Sequence, residues 1–200
     1  MNAQKFKAQD RREQIITIAL EVFSEKGYRG AVTREIARAA GINEVTLFRY
    51  FHRKELLFRS VIERYSFLPK FKELVPKLDT MSYRKALKAI AEKFLDVLEE
   101  RKDMVKIMHS EAHLYPQEAR IIYRELIDKI FKQFNIFLEK RIQAGEVREI
   151  DSYLSARCFF GMFFSHFIKN EIYFKDGKKS RDKVIETYTD IFVRGTAVRK

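Results

Sequence analysis

Residues 41–57, GINEVTLFRYFHRKELL, set hydrogen-bond donors, aromatic rings and positive charge within a few residues of one another. Those side-chain types suit a polyanion whose edges carry information. Arginine forms paired hydrogen bonds to guanine O6 and N7, and apolar groups meet thymine methyls, so Arg49, Val45 and Phe48 are candidates for base contact. Thr46, Tyr50 and Lys54 carry donors for phosphate oxygens, and Thr33, Arg34, Asn43 and Glu44 complete the candidate DNA-contacting set. Glu44 is the odd member: it repels phosphate unless it accepts from a cytosine N4. Other chemistry is poorly supplied. No nucleophile with a neighbouring base, no glycine-rich phosphate loop and no carboxylate pair stands out, so an enzyme is not expected. His109 and His113 stand at i, i+4, which suits a metal, but the glutamate between them, Glu111, breaks the order of a zinc hydrolase. Exposed or pocket-lining histidines, with no metal and no cofactor, are the expectation.

These residues need helices to hold them. Glycine and proline are scarce, strand-like alternation is absent, and apolar residues recur at helical spacing, which predicts an all-α chain. A first helix is expected from about Asp10 to Lys26, carrying Ile15, Ile16, Ala19, Leu20 and Phe23 on one stripe and stopping at Gly27. Thr33 is the candidate N-cap of a short second helix that ends at Gly41, and Asn43 caps a third. Lys54 opens a fourth, ending before Pro69. On the third helix, Leu47, Tyr50 and Phe51 fall on one side and Val45 and Arg49 on the other, so a buried seam separates from an exposed edge. Two short helices joined by Gly41-Ile42-Asn43 have the layout of a helix-turn-helix, although a helical hairpin of no special function has the same spacing. After a break at Pro69–Pro76, further helices are expected at about Ser82–Glu100, Met104–Leu114, Pro116–Ala144, Ser152–Tyr173 and Arg181–Thr196, with the KDGKKS loop before the last.

Resemblance separates the two readings. The run from Gln14 through Leu57 resembles the DNA-binding domain of TetR-family transcriptional regulators. The family's Phe-x-x-x-Gly-Tyr element is matched by Phe23 to Tyr28, its Ile-Ala-x-x-Ala-Gly-Val element by Ile36 to Ile42, and its Thr-Leu-Tyr-x-Tyr-Phe element with a following Lys by Thr46 to Phe51 and Lys54. The chain departs at Asn43, Glu44 and Val45, where Ser, a basic residue and a small residue are usual, and at Phe48, where Tyr is usual. The resemblance implies a three-helix DNA-binding domain at residues 9–67 and a helical ligand-binding and dimerisation bundle at 68–200.

Composition agrees with that division. A net charge of +12 attracts polyanions, and residues 61–200 hold most of the Phe and Tyr. The longest apolar run, Cys158–Phe164, is far short of the roughly 20 residues that span a bilayer, and a single cysteine rules out an intrachain disulfide or a multi-cysteine zinc site. A cytoplasmic protein with no membrane partner is expected. CFFGMFFSHF is apolar around nearly its whole circumference, which suggests burial on two sides and places candidate homodimer contacts at Phe159, Phe163, Tyr188 and Phe192. Phe94, Met108, Phe131, Phe134, Phe160 and Phe164 are the candidate lining for an apolar or aromatic small-molecule effector. The resulting expectation is a dimeric repressor on a palindromic double-stranded operator, released by such a ligand. The alternative is a ligand-free DNA-binding factor of the same fold that serves a structural or protein-recruiting role.

Overall fold

The computed structural model describes residues 2–111, 117–174 and 180–198. They form α1 (Asn2–Gly30), α2 (Thr33–Ala39), α3 (Glu44–Phe51), α4 (Lys54–Tyr65), α5 (Phe67–Leu78), α6 (Tyr83–Glu100), α7 (Lys102–Glu111), α8 (Gln117–Gln143), α9 (Ser152–Phe167), a π-helical segment (Ile168–Phe174) and α10 (Arg181–Thr196). The ends expected at Leu114 and Pro116, and most of the KDGKKS loop, lie outside the described residues. The chain divides into two compact units: Met1–Tyr65 with Arg101–Glu125, and Ser66–Glu100 with Leu126–Lys200. The first unit thus takes in α7 and the start of α8 along with α1 to α4.

Two local expectations are corrected. The Pro69–Pro76 segment is a helix rather than a break. Ser66 caps α5 by accepting from the Leu68 N–H, and Pro69 lies in the first turn, where a backbone N–H has no intrahelical partner to lose. Pro76 falls in the last turn, so only a terminal hydrogen bond is forfeited. The second correction concerns α2, whose N-cap is Val32 with no side-chain cap bond; Thr33 lies inside the helix and uses its hydroxyl elsewhere.

In the first unit, α1 packs on α2, α4 and α7. Ile15, Ile16, Ala19 and Phe23 of α1 are buried, as are Ile36 and Ala37 of α2, Leu47 and Phe51 of α3, and Leu57, Phe58, Val61 and Ile62 of α4. Gly27 has φ 67°, a positive value open to glycine, and kinks α1 one residue before Tyr28. The Tyr28 ring then meets Phe58 edge-on at 4.8 Å and stacks near Phe23 at 6.1 Å.

In the second unit, α6 packs on α5, α9 and α10 around an aromatic core. Phe160 is its hub, with ring centroids at 5.0 Å from Phe94, 5.1 Å from Phe134, 5.4 Å from Phe159 and 5.7 Å from Phe67. Buried Arg141 closes one end. It donates to the carbonyls of Leu78 and Met81 and to Glu146, so the C-terminal carbonyl of α5 and the guanidinium satisfy each other away from water. Beside it the Tyr83 hydroxyl lies 2.8 Å from Thr196 Oγ1, and burial pushes the phenol up to about 12.

Candidate nucleic-acid interface

Between α2 and α3 the chain turns at Gly41, φ 66°, and Asn43 caps α3 by accepting from the Thr46 N–H at 2.8 Å. With its N-terminus capped and Leu47 and Phe51 buried beneath it, α3 is fixed in rotation. Val45 projects at 72% exposure and Arg49 is exposed with it, while Thr46, Phe48 and Tyr50 are half-buried at the margins of that edge. The period of the helix therefore delivers Val45 and Arg49 to water and Leu47 and Phe51 to the core, and leaves Phe48 half-buried between them.

The far end of α3 is held as firmly. His52 has φ 55° and ψ −41°, and the Arg53 N–H reaches the Phe51 carbonyl at 2.5 Å, the form of a classic γ-turn. That turn is tight enough to start α4 at Lys54. The Lys54 ammonium sits 4.6 Å from the centroid of the Tyr28 ring, and burial lowers its proton affinity while Glu55 opposes that shift. Tyr28 in turn donates from its hydroxyl to Glu55 at 2.8 Å. Lys54 is thus a positioned cation at the head of α4, held by a ring from the end of α1. On the other side of α3, the Arg12 guanidinium stacks 5.0 Å from the Phe51 ring centroid and donates to Ser60 at 2.9 Å. This clasp binds α1, α3 and α4 together. Sequence reasoning passed it over, because nothing in the local spacing of Arg12 announces a partner 48 residues away.

Thr33, Arg34 and Glu44 form a group of their own. Thr33 donates to Glu44 Oε1 at 2.6 Å, and Arg34 Nε stands 3.8 Å from Glu44 Oε2. The Arg34 side chain stays 80% exposed. Of the ten candidate DNA-contacting residues, all lie on α2, α3, their connecting turn, or the first residue of α4, within the first unit.

The other candidates distribute differently. Phe94, Phe131, Phe134 and Phe160 meet in the aromatic core of the second unit, and Phe164, half-buried, lies one turn beyond Phe160 on α9. Met108 belongs to α7, which packs on α1 in the first unit, so it leaves this set. Phe159, Phe163 and Phe192 are buried inside their own unit, with Phe159 5.2 Å from Phe163 and 5.1 Å from Phe192, and Tyr188 is half-buried 5.5 Å from Phe163. The first three cannot present themselves to a second copy. The residues that α9 and α10 expose instead include Leu154, Cys158 and Gly161 on one helix and Ile191, Arg194 and Gly195 on the other. His113 lies outside the described residues, and among the described residues no group of three or more His, Cys, Asp or Glu is placed to hold a metal. No helix among them is long and apolar enough to cross a membrane.

A capped, rotationally fixed α3 with an exposed Val45–Arg49 edge, packed on α2 across a glycine turn, defines a helix-turn-helix DNA-binding regulator. Residues 15–61 match the model of bacterial regulatory proteins of the tetR family, and residues 80–196 match the tetracyclin repressor-like C-terminal domain. The chain belongs to the TetR family of bacterial regulatory proteins, which are DNA-binding regulators and not enzymes. It is 26% identical over 186 residues to the HTH-type transcriptional regulator YvkB of Bacillus subtilis (strain 168), covering 92% of this chain and 95% of that one. With the HTH-type transcriptional repressor KstR2 of Rhodococcus jostii (strain RHA1) it shares 27% identity over 192 residues, 94% of this chain and 91% of the relative. Its fold is similar to that of FadR from Bacillus subtilis in complex with stearoyl-CoA, with a TM-score of 0.70, 22% identity, and coverage of 92% and 98% of the two chains.

Proposed function

We propose that this regulator is a homodimeric repressor that occupies a near-palindromic operator and leaves it on binding an apolar small molecule with a long chain or an aromatic body. The observation that carries the reading is the contrast between the two units: an exposed edge on α3 bearing Val45 and Arg49 in one, and a cluster of phenylalanine rings around Phe160 in the other. Repression requires only occupancy of a promoter, and a relative of similar length is named a repressor. Phe94, Phe131, Phe134, Phe160 and Phe164 are the proposed effector contacts. Phe131, half-buried and meeting Tyr153 edge-on at 5.8 Å, marks the accessible side of the cluster.

Dimerisation is assigned to the outward stripes of α9 and α10. Gly161 in the middle of α9 and Gly195 in the last turn of α10 have open space where a Cβ would stand, so nothing among the described residues requires them to be glycine. An internal helical glycine costs about 1 kcal/mol relative to alanine. Close approach of a second copy gives both a use, with Leu154 and Ile191 supplying apolar area beside them. A two-fold dimer then presents two α3 edges to successive major grooves, roughly 34 Å apart or a longer spacing in phase with the duplex.

Native mass spectrometry of the purified protein, followed by extraction of any retained small molecule, tests the effector. Because a protein of this fold holds stearoyl-CoA, long-chain acyl compounds are the first probes. Switching occupancy tenfold takes about 1.4 kcal/mol of differential affinity, and by linkage the operator must weaken effector binding by the same factor. Effector titrations with and without operator measure both sides of that cycle. Equal affinities in the two titrations would eliminate the inducible reading.

A further inference from the structure

We propose that Glu44 is a specificity-determining residue that selects cytosine at one position in each half-site, with Thr33 and Arg34 as the residues that position it. The proposal rests on the DNA-binding reading of α3 and names the base its first residue reads.

An acid at the head of a reading helix is a poor choice for phosphate affinity, and an unrestrained glutamate would turn toward solvent. Glu44 does neither. Its side chain is only 32% exposed, while that of its neighbour Val45 is open to water. Two groups from α2 hold the carboxylate: the Thr33 hydroxyl on Oε1 at 2.6 Å and the Arg34 guanidinium opposite Oε2 at 3.8 Å. The Thr33 hydroxyl is thereby committed to a side chain, and the charge that would repel the duplex is faced by a cation of its own chain. A group oriented in this way keeps a fixed direction when the duplex arrives.

The chemistry of the carboxylate then decides the base. An ionised carboxylate only accepts, and each oxygen has two lone-pair directions, so the bond from Thr33 leaves Oε1 able to take another. In the major groove guanine shows N7 and O6, both acceptors, and thymine shows O4, also an acceptor; all of these repel it. Adenine offers its N6 donor directly beside the N7 acceptor. Across its pair the adenine donor also faces thymine O4, an acceptor on either side, whereas the cytosine N4 donor has an acceptor, guanine O6, on one side only. The favoured contact is therefore Glu44 to cytosine N4.

The test is selection from a library with randomised half-sites, carried out without effector on the full chain and on the Glu44→Gln, Glu44→Ala and Thr33→Val variants, each first checked for an unchanged melting profile. The wild-type protein is expected to enrich cytosine at one position per half-site, with about a tenfold loss on replacing it. Glu44→Gln should move that preference to adenine, because an amide can pair with both N6 and N7. Glu44→Ala should lose the preference at that position only, and Thr33→Val should blunt it while binding persists. If Glu44→Ala binds all sequences more tightly and enriches an unchanged motif, Glu44 is merely a charge that tempers phosphate attraction and the assignment is wrong. A wild-type motif with no cytosine sensitive to Glu44 overturns the assignment alone, whereas a wild-type protein that enriches nothing overturns the DNA-binding reading along with it.

Discussion

Ile191 and Phe192 are neighbours on α10 with opposite fates, and substituting each by aspartate separates assembly from folding. Ile191 is 55% exposed in the single chain and Phe192 is 5% exposed, its ring 5.1 Å from Phe159 and 6.3 Å from Phe134. If the outward stripes of α9 and α10 form the dimer, association removes the remaining half of the Ile191 side chain from water. Full burial of such a side chain contributes about 1.5–3 kcal/mol, so half contributes roughly 1 kcal/mol per copy. Aspartate forfeits that and also places an unpaired charge in the interface, at several kcal/mol per ion. Both terms count twice in a two-fold dimer, which brings the loss to roughly 6 kcal/mol or more and the rise in dissociation constant to about ten-thousandfold. The isolated chain should hardly respond, since exposed substitutions stay within about 0.5 kcal/mol. Phe192→Asp must instead bury its charge inside the unit, and a melting transition lowered beyond measurement is the expected result. Sedimentation velocity across a dilution series, paired with thermal melts followed by circular dichroism, reads both variants. Ile191→Asp should be a folded monomer and Phe192→Asp an unfolded chain. A dimer untouched by Ile191→Asp would move the interface away from this stripe, and a normally folded Phe192→Asp would contradict the packing of α10 on α9.

Arg49→Ala should relax base preference at one position per half-site at a cost of about 1–3 kcal/mol, measured by binding to single-substituted duplexes; an unchanged preference would remove Arg49 from base contact. Lys54→Met should instead weaken binding to all sequences alike and lower the salt dependence by about one phosphate contact, and a change in motif would argue against a phosphate role. The Tyr83 phenol is pushed up to about 12 from an ordinary 10, so its contribution to stability is complete below about pH 10 and is lost as pH rises through about 12, in all roughly 2–3 kcal/mol. Urea unfolding should show wild type steepening its loss of stability over that window relative to Tyr83→Phe, which at neutral pH gives up only the bond to Thr196, about 1 kcal/mol. Parallel pH profiles would show that the phenol is not held neutral by burial.

What the sequence determined by itself was whatever depends on short range. A helix repeats every 3.6 residues, so the apolar spacing in α3 was enough to assign Leu47 and Phe51 to the core and Val45 and Arg49 to water. Asn43 and Gly41 act on backbone groups within a few residues of themselves, and the turn they make was legible for the same reason. Tertiary structure decided matters in which local rules allow two answers. Pro69 and Pro76 are compatible with a break or with the two ends of a helix, and a capped, buried α5 chose the latter. A helix as uniformly apolar as α9 has no wheel that tells its own core from a partner's face; only packing on α6 and α10 turned Phe159 and Phe163 inward and left Leu154, Cys158 and Gly161 outside. Thr33 looked like a cap because its spacing to α2 fits one, and its hydroxyl went instead to Glu44, eleven residues along the chain, because the fold brought a carboxylate within 2.6 Å. Periodicity specifies which side of a helix is apolar, but the partner that covers that side is chosen by contacts far apart in the chain, and those exist only once the units have packed.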